Sequence, residues 1–229
     1  MNSIKPFYEI LTPINGIEIL KTIEKVGRTC YRSEDKINDD SALKFVSNIV
    51  KRGHEAMIEF FDITIKYTCD RGVSHELVRH RLANFAQEST RYVAYNKAKQ
   101  GSQITVIDIE GVMRLKIGAE AIHPITKETV IITEKMMLEW FNEWNIAMNQ
   151  AEEHYMNMTN NCCPPELARS VLPNSTKTEI NVKMNLRELR LFLKLRTSPA
   201  AHPQMRELTR PLLDELKEKL PIIFDDINY

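Results

Sequence analysis

Between residues 61 and 67 the chain alternates, with Phe61, Ile63, Ile65 and Tyr67 on one side of the pattern and Asp62, Thr64 and Lys66 on the other. A period of two predicts a half-buried strand. The alternation returns at Ile180, Val182 and Met184 against Glu179, Asn181 and Lys183, and predicts a second strand. Elsewhere the period lengthens to three and four. Met137, Phe141, Trp144, Met148, Ala151 and Tyr155 mark the stripe of a long amphipathic helix, whose Met and Trp side chains read as core rather than cofactor contacts. Asn15, with Glu18 three residues on, is a capping-box pair opening a helix that reaches about Thr29. A further helix starts near Ser41, carries Leu43, Val46 and Val50 on one side and stops at Gly53. Residues 73–82 read as a helix, and "SQITVIDIEGV" as a strand and turn. After Pro164-Pro165 a short helix, "ELARSVL", ends at Pro173. Asn185 and Glu188 repeat the capping-box pair and open "LRELRLFLKLR"; a last helix runs from Gln204 to about Lys219.

Helices and strands mix without a strand–helix–strand rhythm, which predicts an α+β fold: a mixed, largely antiparallel sheet packed with helices. At 229 residues one good core is possible, and a single domain over 1–229 is expected. Lys+Arg and Asp+Glu both number 31, so the formal net charge is zero. A dedicated nucleic-acid binder usually carries a basic excess, so bulk charge counts against that class. Nothing approaches the apolar run of a transmembrane helix, and "MNSIKPFYEI" lacks the pattern of a signal peptide, so no membrane is expected. The four cysteines (Cys30, Cys69, Cys162 and Cys163) form no disulfide framework and suit a reducing, cytoplasmic setting. The six histidines make no HExxH and no CxxC partner, so no metal site is expected. Both common nucleotide-binding loops, GxGxxG and GxxxxGK[ST], are missing.

The remaining chemistry is arginine. If "ESTRY" is extended, Ser89 and Arg91 point the same way, and a hydroxyl with a guanidinium makes a phosphate grip; the alternative is an ordinary solvated strand face. On a helix Arg79 and Arg81 lie about 200° apart and serve two different ligands or a ligand and a neighbour; otherwise one is a surface charge and His80 a packed histidine. Arg196 continues the apolar phase of Leu186, Leu189 and Leu193. It either snorkels from the helix end or forms the charged floor of a site. An arginine-dominated site without a nucleophile polarises an anionic ligand and leaves harder redox chemistry to a cofactor.

"RHRLANFAQES", Arg-His-Arg, seven residues and then Ser, continuing to "TRY", resembles the signature of the flavin-dependent thymidylate synthases. "GHEAMIEFFDITIKYTCDRGVSHELVRHR", "PPELARSVLP", "NVKMNLRELRLFLKLR" and "AHPQMRELTRPLL" are similar to the family's other segments, in order. The resemblance implies transfer of a one-carbon unit from 5,10-methylenetetrahydrofolate to carbon 5 of dUMP, with NADPH-reduced FAD supplying the hydride. It implies that Ser89, Arg91 and Arg169 hold dUMP, chiefly its phosphate, with Glu76, Arg79, Gln87, Glu88 and Thr90 nearby. It assigns Arg79, His80, Arg81 and Gln87 to FAD, with His54, the Glu55-Ala56 backbone, Asn185, Leu186, Arg187 and Leu191 completing that site. Arg196 matches the catalytic arginine beside the uracil ring. It also implies a homotetramer with active sites assembled from several subunits. Glu76 stands where other members carry Gln, Leu191 where a polar flavin contact can occur, and His202 and Gln204 follow Arg196 with a longer spacer. Two rival readings are a nucleic-acid module using the arginines with Phe85, Tyr92 and Tyr95, and a nucleotide- or folate-binding regulatory protein without turnover.

Overall fold

The computed structural model describes residues 1–96 and 102–229. Among these, eight strands and eight α-helices alternate irregularly along the chain: β1 (Asn2–Ile4), β2 (Phe7–Ile10), α1 (Gly16–Tyr31), α2 (Ser41–Lys51), β3 (Asp62–Asp70), α3 (Arg71–Leu77), β4 (Ala83–Gln87), β5 (Thr105–Ile107), α4 (Glu110–Arg114), β6 (Glu120–Ile122), β7 (Thr129–Ile131), α5 (Glu134–Asn160), α6 (Pro165–Ala168), β8 (Lys177–Asn185), α7 (Leu186–Arg196) and α8 (Pro203–Lys219). Short 3₁₀ turns lie at Glu34–Lys36, Glu55–Phe60 and Arg169–Val171. The α+β class, with its largely antiparallel sheet, is as the pattern predicts. The described residues fall into two compact units, neither a continuous stretch of chain.

One unit comprises Phe7–Thr68, Val73–Gln87 and Glu179–Tyr229. Its centre is the four-stranded sheet ordered β2-β3-β8-β4, in which β2 runs antiparallel to β3 and β4 antiparallel to β8. The inward residues are those the alternation marked: Ile63, Ile65 and Tyr67 on β3, and Ile180, Val182 and Met184 on β8, all buried. Ile19, Leu20 and Ile23 of α1, Leu189, Phe192 and Leu193 of α7, and Leu208, Leu212 and Leu216 of α8 are buried too. Each such side chain contributes roughly 1.5–3 kcal/mol relative to exposure. Asn15 caps α1 by accepting from the Glu18 N–H at 3.4 Å, while the Glu18 carboxylate turns to Lys21, so half of the expected box forms. Helix α2 buries Ala42, Val46 and Ile49; Leu43 faces solvent and Val50 is half-buried, so the apolar face is rotated from the one expected. Packing against α1 sets that rotation. Gly53 stops the helix at a φ of 70°, the left-handed conformation that glycine adopts without strain.

The other unit comprises Met1–Pro6, Cys69–Gly72 and Glu88–Thr178. Here β1 pairs in parallel with β5, and β6 with β7 as an antiparallel hairpin. The core gathers Tyr95, Ile104, Tyr155 and Ala168, with the Tyr155 hydroxyl accepting from the Tyr95 N–H at 3.3 Å. Tyr155 lies on α5, the long helix read from the three- and four-residue steps. All four cysteines are free; Cys69 is buried, and desolvation pushes its thiol up to about 12. No described helix is long and apolar enough to cross a membrane.

Candidate functional site

Three side-chain groups hold the predicted residues. The first sits where α3 ends. Helix α3 stops at Leu77, and the next amides close tighter turns, Arg79 N–H to the Glu76 carbonyl at 3.3 Å and His80 N–H to the Leu77 carbonyl at 3.2 Å. The helical expectation for 73–82 is therefore correct only for its first half. Arg79 and Arg81 flank His80 in a turn, both exposed, with no side-chain hydrogen bond or ion pair among the described residues. The turn aims His80 at α7. Leu186, Leu189 and Leu193 are buried, so the phase of α7 carries Arg196 inward, as expected.

Arg196 does not snorkel into water. Its Nε donates to His80 Nε2 at 3.1 Å, its Nη1 to Glu76 Oε2 at 2.8 Å, and its Nη2 to the Glu76 carbonyl at 3.3 Å. The other ring nitrogen, His80 Nδ1, lies 3.3 Å from the buried carboxylate of Glu188. Phe192 packs edge-on against the ring, with centroids 4.9 Å apart. Desolvation, then the Arg196 charge, hold the His80 pKa below its usual value against the opposing pull of Glu188. His80 is consequently neutral near pH 7.

A second group lines a pocket of about 540 Å³ at the start of α7. Asn185, Arg187 and Leu191 contribute to it, as do Glu55 and Leu82. Asn185 caps α7 by accepting from the Glu188 N–H at 2.9 Å. Arg187 donates to Glu59 at 2.6 Å. Leu191 and Leu82 present exposed apolar surface. The Leu186 side chain is fully buried and its N–H donates to the Phe61 carbonyl, so neither its side chain nor its N–H is presented to a ligand. His54 and Ala56 are exposed beside Glu55, with His54 Nδ1 3.1 Å from the Tyr31 hydroxyl. Gln87 donates to Ser74 Oγ at 3.0 Å. Arg190 escaped the sequence reading although it shares the Leu186 and Leu193 face. It is buried, bonded to Glu55 at 3.1 Å, to Asp226 at 2.7 and 2.9 Å, and to the Ile223 carbonyl.

The third group belongs to the other unit. "ESTRY" is not extended: after β4 the chain turns, with the Tyr92 and Val93 amides donating to the Ser89 carbonyl. Ser89 Oγ accepts from the Arg91 N–H at 3.3 Å, so a turn rather than a strand face brings the two residues together. The Arg91 guanidinium lies over the Tyr92 ring, 5.3 Å from its centre. Buried Thr90 accepts from Arg169 Nη1 at 3.5 Å, and Glu88 pairs with Lys177 at 3.3 Å. The Ser89 hydroxyl and the Arg91 guanidinium on this turn, with Arg169 reaching the same turn from the end of α6, are groups that can grip a phosphate bidentately.

Residues 17–222 match the family described as "Thymidylate synthase complementing protein". A flavin-dependent thymidylate synthase from Pyrococcus furiosus is 30% identical over 219 residues, covering 94% of this chain and 77% of that protein. One from Corynebacterium aurimucosum is 31% identical over 209 residues, covering 90% and 79%. The chain belongs to the flavin-dependent thymidylate synthase family. Its fold is that of two solved proteins at lower identity. The UMP/dUMP methylase PolB from Streptomyces cacaoi, bound with 5-Br dUMP, superposes with a TM-score of 0.78 at 18% identity, covering 98% of this chain and 96% of that one. The Helicobacter pylori flavin-dependent thymidylate synthase ThyX, complexed with FAD and dUMP, gives 0.67 at 21% identity, covering 99% and 100%.

Proposed function

We propose that this protein methylates dUMP reductively to dTMP, taking the one-carbon unit from 5,10-methylenetetrahydrofolate and electrons from NADPH through FAD. The observation that carries the reading is the state of Arg196. Three of its hydrogen bonds go to His80 and Glu76, and a guanidinium has five N–H donors, so two remain for a ligand. A fixed cation with unspent donors stabilises negative charge that develops on a pyrimidine ring, and a ring so polarised is more nucleophilic at carbon 5.

Ser89, Arg91 and Arg169 supply the phosphate grip, with the Thr90 hydroxyl steadying Arg169. Glu76 holds Arg196 and carries its own carboxylate toward the base. The residues around Asn185 fit a flavin. Leu82 and Leu191 offer apolar surface for a flat ring, while Arg79 and Arg81 offer unpaired cations for a diphosphate. Bound FAD, once reduced, supplies the hydride that completes the methyl group. The charged residues of the chain bind, orient and polarise, and no protein nucleophile is required. The active assembly is a homotetramer whose sites draw on more than one chain. All of this chemistry suits a cytoplasmic enzyme.

The test is turnover with a defined loss. Purified protein should be yellow, release FAD on denaturation, and release tritium from carbon 5 of labelled dUMP when given methylenetetrahydrofolate and NADPH. Arg196→Ala should keep flavin and fold but lower dTMP formation by about 100-fold or more, the scale of losing one charge-stabilising donor group. A protein that never binds flavin, or an Arg196→Ala variant with near-normal turnover, overturns the proposal.

A further inference from the structure

Arg196 Nε can only donate, so the His80 Nε2 that faces it at 3.1 Å must present a lone pair. In a neutral imidazole the proton then resides on Nδ1, and Nδ1 faces Glu188 Oε1 at 3.3 Å. Glu188 and His80 are both buried, so the contact between them is largely shielded from bulk water. The cap of α7 uses only the backbone N–H of Glu188, which leaves its side chain free for this second task.

We propose that Glu188 is a positioning residue for the reaction: by accepting from His80 Nδ1–H it fixes the tautomer whose Nε2 lone pair holds the Arg196 guanidinium in place. The proposal rests on Arg196 acting on the base. Without the carboxylate the ring proton can move to Nε2, where it would oppose the Arg196 N–H and push the guanidinium off its position. A shift of that kind at a charged group costs rate far more than it costs substrate binding. Glu188 and Arg196 on α7 are the charged groups facing His80; Glu76 on α3 reaches it through Arg196, and Phe192 closes the remaining edge.

Acid should disable the device, because a doubly protonated His80 has no lone pair for Arg196. Removing the Glu188 charge removes an influence that raises the His80 pKa, so the acid limb of the rate profile should move to lower pH. The experiment uses the FAD-loaded enzyme with Glu188→Ala, Glu188→Gln and Arg196→Ala. Glu188→Ala should lower kcat about 10- to 100-fold with flavin content and the KM for dUMP little changed. Glu188→Gln, which still accepts through its amide oxygen, should recover most of that loss yet show the displaced acid limb. In the ligand-free wild type, nitrogen NMR of His80 should show the proton on Nδ1.

A Glu188→Ala enzyme with wild-type kcat, an acid limb that does not move in Glu188→Gln, or a wild-type His80 protonated on Nε2 overturns the proposal. Should Glu188→Ala not fold, the Gln profile and the NMR tautomer decide it. If Arg196→Ala is inactive while the Glu188 variants are normal, this inference alone fails. If Arg196→Ala is fully active, the reading of the site itself fails.

Discussion

Two arginines on α7 lie in the phase of its buried leucines, and they resolve the cost of that position differently. Arg196 shares its charge with Glu76 and a neutral histidine and retains free donors. Arg190 spends four of its five donors, on Glu55, Asp226 and the Ile223 carbonyl. The anomaly of a charge on an apolar face marks Arg196 in the sequence, whereas Arg190, in the same phase, was passed over. The partners of both were not legible, because Glu76 lies 120 residues from Arg196 and Glu55 lies 135 from Arg190. Arg190→Met should fill the space but strand two carboxylates. Asp226 is half exposed and can turn to water, so the cost should fall below that of a fully buried broken pair, at about 1–3 kcal/mol. Arg190 holds the Asp226 carboxyl below its usual pKa. A carboxyl depressed in the folded state stabilises above its unfolded pKa and loses that contribution as pH falls through the folded one. The stability gap between wild type and Arg190→Met should thus be full near neutrality and shrink in acid. Chemical unfolding at several pH values checks this, and a gap independent of pH would refute the assigned role of Asp226.

At the scale of elements, legibility followed the strength of local signals. Strands β3 and β8 carry alternating Ile, Val and Tyr, and α7 opens on a cap that sequence spacing alone identifies. The stretch after Leu77 has neither signal. No Gly or Pro stops α3, and the small residues Ala83 and Ala86 blur the period of β4. That turn is set by tertiary contacts, chiefly the docking of His80 against α7, and so the helix read for 73–82 ran too far. The well-signalled junction offers a clean test. Asn185→Ala should cost about 1 kcal/mol of unfolding free energy through loss of the cap, whereas Asn185→Asp should cost little. If Asn185 also meets the flavin, the Asp variant should lose flavin affinity at nearly unchanged stability. Denaturant midpoints alongside visible absorbance separate the two roles; an Ala variant as stable as wild type would remove the cap from the account.

For the whole molecule, the resemblance named the ligand residues but not which of them one chain unites. The structure gathers Arg196, His80, Glu76 and Glu188 in one compact unit, and Ser89, Arg91, Thr90 and Arg169 in the other. Under the proposed function both groups serve one nucleotide, and the proposed homotetramer lets them come from different chains. If a site takes its phosphate grip from one chain and its base-polarising arginine from another, defects in the two groups are complementary. Arg196→Ala and the double variant Ser89→Ala/Arg91→Ala should each be nearly inactive alone. Mixed, dissociated and reassembled, they should recover a measurable fraction of wild-type turnover, because some interfaces then pair an intact grip with an intact arginine. The reassembled particle should have four times the 26.6 kDa chain mass by light scattering. Recovery that appears only after subunit exchange, and not on simple mixing, assigns the activity to shared sites. Mixed tetramers of the correct mass without recovered activity would mean that each chain supplies both groups to its own site.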